Sequence, residues 1–146
     1  MKVTAEIDVT SSLYFRHLCN GVIKDIKKAT GKTVNLKDLM DGYSYCHSLS
    51  LKDKKISIKF TVGPLIIDKY FQVKYETNET KCLYYYDFTS DGERTYVTYF
   101  EENVYSHDTL GNRLSDMKRN FKKKALANKI LNNIELTTTY IKNHEM

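Results

Sequence analysis

His47 is the residue in this sequence that is best suited to proton chemistry. It lies between Tyr43 and Leu51, where large side chains alternate with serine or cysteine, as in a strand with one buried face. The imidazole is then expected to point inward beside Tyr45, and imidazole changes charge near physiological pH. No carboxylate shares this face of the predicted strand to orient the ring. Inward histidines are commonly core residues, so we expect no catalytic residue set.

Nucleophilic and metal chemistry find still less support in the residue spacing. Cys46 and His47 are neighbours on the predicted strand and therefore point to opposite faces. His17 and Cys19 are two residues apart on a predicted helix and do not face each other. Zinc-type spacing and glycine-rich phosphate loops are also missing. We expect neither a metal nor a cofactor.

The sequence is rich in tyrosine, a ring with one polar handle. Ten of the 12 tyrosines lie between Tyr43 and Tyr105, and an inward-facing group of them would suit an apolar or amphipathic ligand. In the run from Tyr84 to Tyr86, either the central ring or the outer two must point inward. The alternative is that the tyrosines only pack a core. The residues expected to line a cavity are Tyr45, His47, Phe60, Phe71, Tyr75, Tyr84, Tyr86, Tyr99, Met117 and Phe121.

Positive charge is concentrated near the C-terminus. The net charge is +5, and residues 113–129 contain seven basic side chains against one acid. Such a segment can bind phosphates, an anionic protein or a membrane surface. Apart from Phe121, aromatic residues are not interleaved with the lysines, so a solvated helix face is the simpler interpretation and nucleic acid is not the expected partner. The candidate partner surface comprises Lys118, Arg119, Lys122, Lys123 and Lys124.

Length and composition indicate one globular domain in a reducing compartment. The chain has 146 residues, and we treat residues 1–146 as a single domain. Its three cysteines are widely spaced and odd in number, which makes a poor disulfide framework. The first ten residues include two acids and no apolar run, so we expect no signal peptide. No run approaches the ~18 apolar residues of a membrane span. These features predict a cytoplasmic protein.

The N-terminal elements follow from changes in hydrophobic period. Residues 3–9 alternate as a half-buried strand, and a helix is then predicted from an N-cap at Ser11 or Ser12 to Gly31. Asn35, with Asp38 three residues later, predicts a second, short helix that ends before residue 42.

The middle of the chain is predicted to form consecutive strands. Segments 43–51, 56–62, 65–76, 82–89 and 95–105 alternate and are separated by short turns, which favours an antiparallel meander. In the third of these segments, Leu65 and Ile67 share the inward parity of Phe71.

A long helix is predicted from about residue 114 to residue 141. Its apolar residues form two stripes: Leu114, Met117, Phe121 and Ala125, then Ala127, Ile130, Leu131, Ile134, Thr138 and Ile141. The stripes are offset around the axis. Either the helix bends near Leu126 or its halves pack on different surfaces.

This order of elements, with strand Lys2 to Val9 running into Ser11-Ser12-Leu13-Tyr14-Phe15-Arg16-His17-Leu18, resembles the START-like or Bet v 1-like superfamily (SRPBCC, helix-grip). The sequence is also similar to the DUF3284 family of Firmicutes. The predicted class is α+β: a curved antiparallel sheet of about six strands, ordered β-α-α-β meander-α and wrapped on a long C-terminal helix. The resemblance implies a cavity between sheet and helix.

Three functions remain open at this point. Members of the superfamily bind lipids, hormones or polyketides, some cyclise or hydrolyse them, and others act on protein partners. No catalytic set is shared among them, so none is carried over to this chain. The leading hypothesis is a non-enzymatic protein that binds a small apolar or amphipathic ligand. The alternatives are an interaction module that uses the basic helix, and an enzyme of the cyclase or hydrolase kind.

Overall fold

The computed structural model describes the backbone of residues 1–51, 53–105 and 113–144. The side chains of residue 51 and residues 104–123 lie outside this description. Within the described ranges the chain forms six strands and three helices. The elements are β1 (Lys2–Ile7), α1 (Ser11–Thr30), α2 (Leu36–Met40), β2 (Tyr43–Leu51), β3 (Lys54–Val62), β4 (Tyr70–Glu76), β5 (Thr80–Asp91), β6 (Arg94–Tyr105) and α3 (Arg113–His144).

All six described strands belong to one antiparallel sheet, in the order β1-β6-β5-β4-β3-β2. Strands β2 to β6 form the meander that the short turns predicted, and β1 closes it by pairing with β6. Helix α3 packs on β1, while α1 packs on β2. The two long helices therefore cover opposite edges of one sheet face, here called the inner face. The predicted α+β helix-grip fold is confirmed.

Local capping explains where α1 begins and ends. Thr10 is extended, and its hydroxyl accepts a hydrogen bond from the Leu13 amide over 3.2 Å. The predicted N-cap at Ser11 or Ser12 is therefore wrong, because both residues already lie within the helix. The end of the helix is as predicted: Gly31 is left-handed, with a φ of 77°, and donates its amide to Lys27 over 2.8 Å.

Helix α2 is short but capped at its start. The Asn35 side chain accepts from the Asp38 amide, and the Asp38 carboxylate accepts from the Asn35 amide, both over 3.0 Å. This is the predicted capping box. Leu39 is fully buried and anchors the helix in the core.

The segment before β4 departs from the predicted strand. β4 begins at Tyr70, and the preceding residues form a turn in which Asp68 has a φ of 61° and Ile66 bridges to Tyr70. The turn breaks the alternation of side chains. As a result Leu65 is buried, whereas Ile67 is 57% exposed, and the expected inward position of Ile67 is wrong.

The described part of α3 buries one stripe of side chains: Ile130, Ile134, Thr138 and Ile141. Leu131, predicted to belong to this stripe, is 38% exposed because it lies about 100° further around the helix than Ile130. Ala125 is exposed as well. The other members of the first predicted stripe lie outside the described side chains, so the bend near Leu126 stays a prediction. Among the described residues no helix is long and apolar enough to cross a bilayer.

Tyr14 links α1, the sheet and α3 within the core. It is almost completely buried on α1, and its ring lies 5.5 Å from that of Phe88 on β5. Its hydroxyl is hydrogen-bonded to Thr137 on α3. One residue of the first helix thus contacts both the sheet and the last helix.

Candidate functional site

A cavity of about 270 Å³ lies between α1 and the inner face of strands β2 to β5. It falls beside the edge that α1 covers, away from the edge where α3 packs on β1. Helix α1 supplies one wall, on which Gly21 is exposed and Asp25 is half-buried. The residues that line it are His17, Leu18, Gly21, Val22, Asp25, Tyr45, Phe60, Phe71, Val73, Tyr84 and Tyr86.

The register of the strands brings the aromatic residues of this wall together. Tyr45 lies opposite Phe60 across the β2–β3 pair, and their rings stack with centroids 5.1 Å apart. Phe71 lies opposite Tyr86 across the β4–β5 pair, with the rings 6.2 Å apart. Tyr84 lies next to Tyr86 on the same face of β5, at 6.3 Å. The wall is therefore apolar over most of its area, with phenol hydroxyls at intervals.

The structure settles which rings of the tyrosine run face inward. Tyr84 and Tyr86 line the cavity. Tyr85 lies on the opposite face of the sheet, where its ring is 5.2 Å from Tyr70 and 4.9 Å from Phe100. The outer pair, rather than the central ring, therefore belongs to the cavity.

A carboxylate that the sequence analysis missed lies at the cavity wall. The Tyr45 hydroxyl donates to Oδ2 of Asp25 over 2.5 Å. The other oxygen, Oδ1, is 3.4 Å from Nδ1 of His47. Helix α1 therefore supplies a carboxylate to His47, which the strand alone does not. We call Asp25, Tyr45 and His47 the polar trio.

The sequence does contain a signal for Asp25. At 100° per residue, Asp25 lies within about 20° of Leu18 around the axis of α1, on the border of the apolar stripe. An acidic residue in that position points toward the core side of its helix. The sequence analysis considered only carboxylates on the same strand as His47, and a carboxylate on α1 was therefore missed.

Burial controls the protonation of the cavity phenols. It raises the pKa of Tyr45, and the Asp25 carboxylate raises it further. Burial also raises the pKa of Tyr84, and it brings that of Tyr86 to about 12, with a smaller contribution from Glu101. These phenols are thus neutral at physiological pH, and each carries one O–H that can donate; that of Tyr45 donates to Asp25.

Residues 1–121 match a family described as a domain of unknown function, DUF3284. The chain belongs to this family. Among curated proteins none matches the sequence significantly. The predicted similarity to DUF3284 is confirmed.

Solved structures of the helix-grip kind resemble the DUF3284 chain over most of its length. The Zhui aromatase/cyclase from Streptomyces sp. R1128 aligns with a TM-score of 0.60 at 11% identity, covering 100% of this chain and 94% of that one. TTHA0849 from Thermus thermophilus aligns with a TM-score of 0.58 at 13% identity, covering 96% and 98%. Ara h 8.0201 aligns with a TM-score of 0.58 at 6% identity, covering 99% and 97%. At such identities the likeness shows the fold alone.

Three other residues that were expected to line the cavity lie near it without lining it. Nδ1 of His47 lies 3.4 Å from Asp25 in the polar trio, although His47 itself does not line the cavity. Tyr75 is 6.0 Å from Phe60, and Tyr99 is 5.0 Å from Tyr86, both measured between ring centroids. Met117 and Phe121 lie outside the described side chains.

Of the five side chains in the predicted basic surface, the structure describes only Lys124. Lys124 is exposed on α3, while the side chains of Lys118, Arg119, Lys122 and Lys123 lie outside the description. The interaction surface therefore stays a prediction.

In the described part of the DUF3284 chain, no group of three or more histidine, cysteine or acidic residues could hold a metal ion. The three cysteines, on α1, β2 and β5, carry free thiols. Burial raises the pKa of Cys19 to about 12, so this thiol is a weak nucleophile. The chemistry available at the cavity is instead hydrogen bonding by phenols and one carboxylate, beside aromatic surface.

Proposed function

We propose that this protein binds a small apolar or amphipathic ligand in the cavity between α1 and the sheet. The observation that carries the proposal is the composition of the wall, in which stacked aromatic rings surround the polar trio. Ligand sites combine a mostly apolar lining with a few polar groups that orient the ligand. The volume of about 270 Å³ is slightly below the usual range of about 300–1,000 Å³, which favours a small ligand.

Gly21 supports this proposal because no described residue lies close enough to require a glycine at its position. It lies in the interior of α1, where glycine is less favourable than alanine by about 1 kcal/mol. Apart from its chain neighbours and the backbone of its own helix turn, a Cβ atom there would meet no described atom within 4 Å. The missing side chain leaves an open notch at the cavity wall, and a bound ligand is what could use that space.

The test combines a ligand screen with two substitutions of Gly21. Thermal shifts of the full chain are measured against a panel of lipids and aromatic metabolites, since a ligand that binds only the folded state stabilises it. Gly21→Phe should fill the notch and abolish the shift given by any active compound. Gly21→Ala is the matched control: it improves the helix and leaves the cavity open, so the ligand shift should persist.

Two results would count against binding in this cavity. One is that no compound of the panel stabilises the protein. The other is that an active compound stabilises the Gly21→Phe variant as much as the parent chain, which would place its site elsewhere.

A second candidate function is catalysis of the cyclase or hydrolase kind, and the contact between Asp25 and His47 favours it. A carboxylate beside Nδ1 can orient an imidazole so that Nε2 accepts a proton. One similar structure is an aromatase/cyclase. If this candidate holds, turnover of activated aryl esters should fall in both His47→Gln and Asp25→Asn but not in His144→Gln on the exposed end of α3. Equal rates in all three variants would exclude it.

The proposal treats residues 1–146 as one binding domain that acts in the cytoplasm. Cys19, Cys46 and Cys82 are all free thiols, which supports a reducing compartment. Localisation of a tagged chain by fractionation tests this part of the proposal.

A further inference from the structure

We propose that the cavity selects ligands that carry a protonated amine next to a flat apolar group. This inference rests on the proposed ligand-binding function and names the chemical class of the ligand. It follows from the charge of the wall, the arrangement of its aromatic rings and the further hydrogen bonds that the Asp25 carboxylate can accept.

The charge of the cavity wall opposes the charge of the whole chain. The protein has a net charge of +5. Among the described residues that line the cavity, Asp25 is the one carboxylate, and neither lysine nor arginine is present. Among the described residues, the titratable bases here are the imidazoles of His17, which lines the cavity, and of His47, which lies 3.4 Å from Asp25. A cationic ligand is therefore attracted to the described part of the wall, whose permanent charge is negative.

Asp25 has acceptor capacity left for a ligand. Its Oδ2 accepts from Tyr45 over 2.5 Å, and its Oδ1 lies 3.4 Å from His47. A carboxylate offers about four acceptor positions, so the two contacts that Asp25 makes with described residues do not saturate it. Its side chain retains 36% exposure, and the residue lines the cavity. An ammonium group placed there can donate to Asp25 without displacing Tyr45.

The rings beside Asp25 suit the rest of such a ligand. Tyr45 and Phe60 stack at 5.1 Å, and Tyr43 follows at 6.3 Å from Tyr45. Aromatic faces attract cations and also cover flat apolar groups. An anionic ligand would have to lie against the carboxylate, and a neutral one would gain less from Asp25.

Three probes of the same size separate charge from shape. Phenethylamine, phenethyl alcohol and phenylacetate share one ring and a short chain but are cationic, neutral and anionic at neutral pH. Binding to the full chain is measured by calorimetry or by chemical shifts of the protein. We expect phenethylamine to bind at least about tenfold more tightly than the alcohol, and phenylacetate most weakly.

Two variants show whether Asp25 causes the preference. Asp25→Asn keeps the shape and an oxygen for Tyr45 but removes the charge, so the amine should lose its advantage over the alcohol. Glu102→Gln removes an exposed carboxylate on β6. Glu102 lies opposite Leu83 of β5, and both are on the outer face of the sheet, the face that the two long helices do not cover. This control should leave the preference unchanged.

Several outcomes overturn the inference. Tighter binding of the alcohol or of phenylacetate would show that the site takes another ligand class, while the binding function itself would stand. An amine preference that survives in Asp25→Asn would remove the assigned cause. If none of the probes binds although a compound of the wider panel binds in a Gly21-dependent way, the amine class is wrong and the cavity proposal is retained.

Discussion

The hydroxyl of Tyr45 on β2 is hydrogen-bonded to the carboxylate of Asp25 on α1 over 2.5 Å. This bond connects the covering helix to the edge of the sheet and also sets the chemistry of the cavity wall. Tyr45 is 8% exposed, so its hydroxyl depends on this acceptor for its hydrogen bond.

Replacing Tyr45 by phenylalanine should therefore destabilise the fold modestly. A hydrogen bond to a charged group contributes about 1.5–3 kcal/mol, and the 36% exposure of the Asp25 side chain reduces this to about 1 kcal/mol. Urea denaturation measures the loss. Tyr85→Phe, on the opposite face of the sheet, is the matched control and should change the free energy of unfolding less. An equal effect of both substitutions would show that the bond to Asp25 contributes nothing specific.

Alkaline pH should unfold the protein through its buried phenols. Burial raises the pKa of Tyr14, Tyr45 and Tyr99, and that of Tyr86 to about 12, above the ordinary value of about 10. A raised pKa in the folded state adds stability that is fully present below pH about 10 and is lost as the pH rises through the folded values. We expect the free energy of unfolding to fall above about pH 10.

Tyrosinate absorbance, followed together with far-ultraviolet circular dichroism, tests this pH dependence. The late part of the absorbance change should coincide with the loss of helix signal, because the buried phenols ionise on unfolding. If all 12 tyrosines titrate before the helix signal changes, the phenols are not protected in the way the structure indicates.

The N-cap of α1 can be assigned by two substitutions. Thr10→Ala removes the hydroxyl that accepts from the Leu13 amide and should cost about 1 kcal/mol. Ser12→Ala lies inside the first turn, where alanine is a better helix former, and should be close to neutral. Thermal denaturation of both variants compares them. A larger cost at Ser12 would support the N-cap predicted from sequence over the one in the structure.

The three thiols should differ in reactivity. Cys46 is exposed, whereas Cys19 and Cys82 are buried, and burial raises the pKa of both buried thiols. At neutral pH a disulfide reagent should modify Cys46 rapidly and the other two only after denaturation. Cys46→Ser should remove the rapid phase. Rapid modification of a second thiol in the native protein would contradict the described burial.

Much of the fold could be predicted because its signals are local. The alternation of Val3 and Ile7, the helical spacing from Phe15 to Ile26 and the Asn35–Asp38 capping box each depend on neighbours a few residues away. The predictions were wrong where a capping hydrogen bond or a backbone turn, rather than the hydrophobic period, sets the local structure. Thr10 caps α1 from the end of an extended segment, and the positive φ of Asp68 turned a predicted strand into a loop.

Only those residues of the candidate site could be predicted whose inward position follows from alternation along a strand. Strand parity placed Tyr45, Phe60 and Phe71 on the inner face, and all three line the cavity. His47 and Tyr75 were placed there by the same parity but do not line it. Parity also limited the choice in the tyrosine run to two arrangements. It could not choose between them, because that depends on which face of the sheet the helices cover.

The sequence by itself determined most of the elements, their order and the alternation of side chains between the two faces of each strand, since these follow from the chain geometry of single helices and strands. Only the tertiary structure placed Asp25 against Tyr45 and His47 and opened the space beside Gly21. The physical reason is that the distance between groups on separate elements depends on how a helix docks on a sheet. That docking is decided by the packing of all the buried side chains together, and no periodicity along the chain records it.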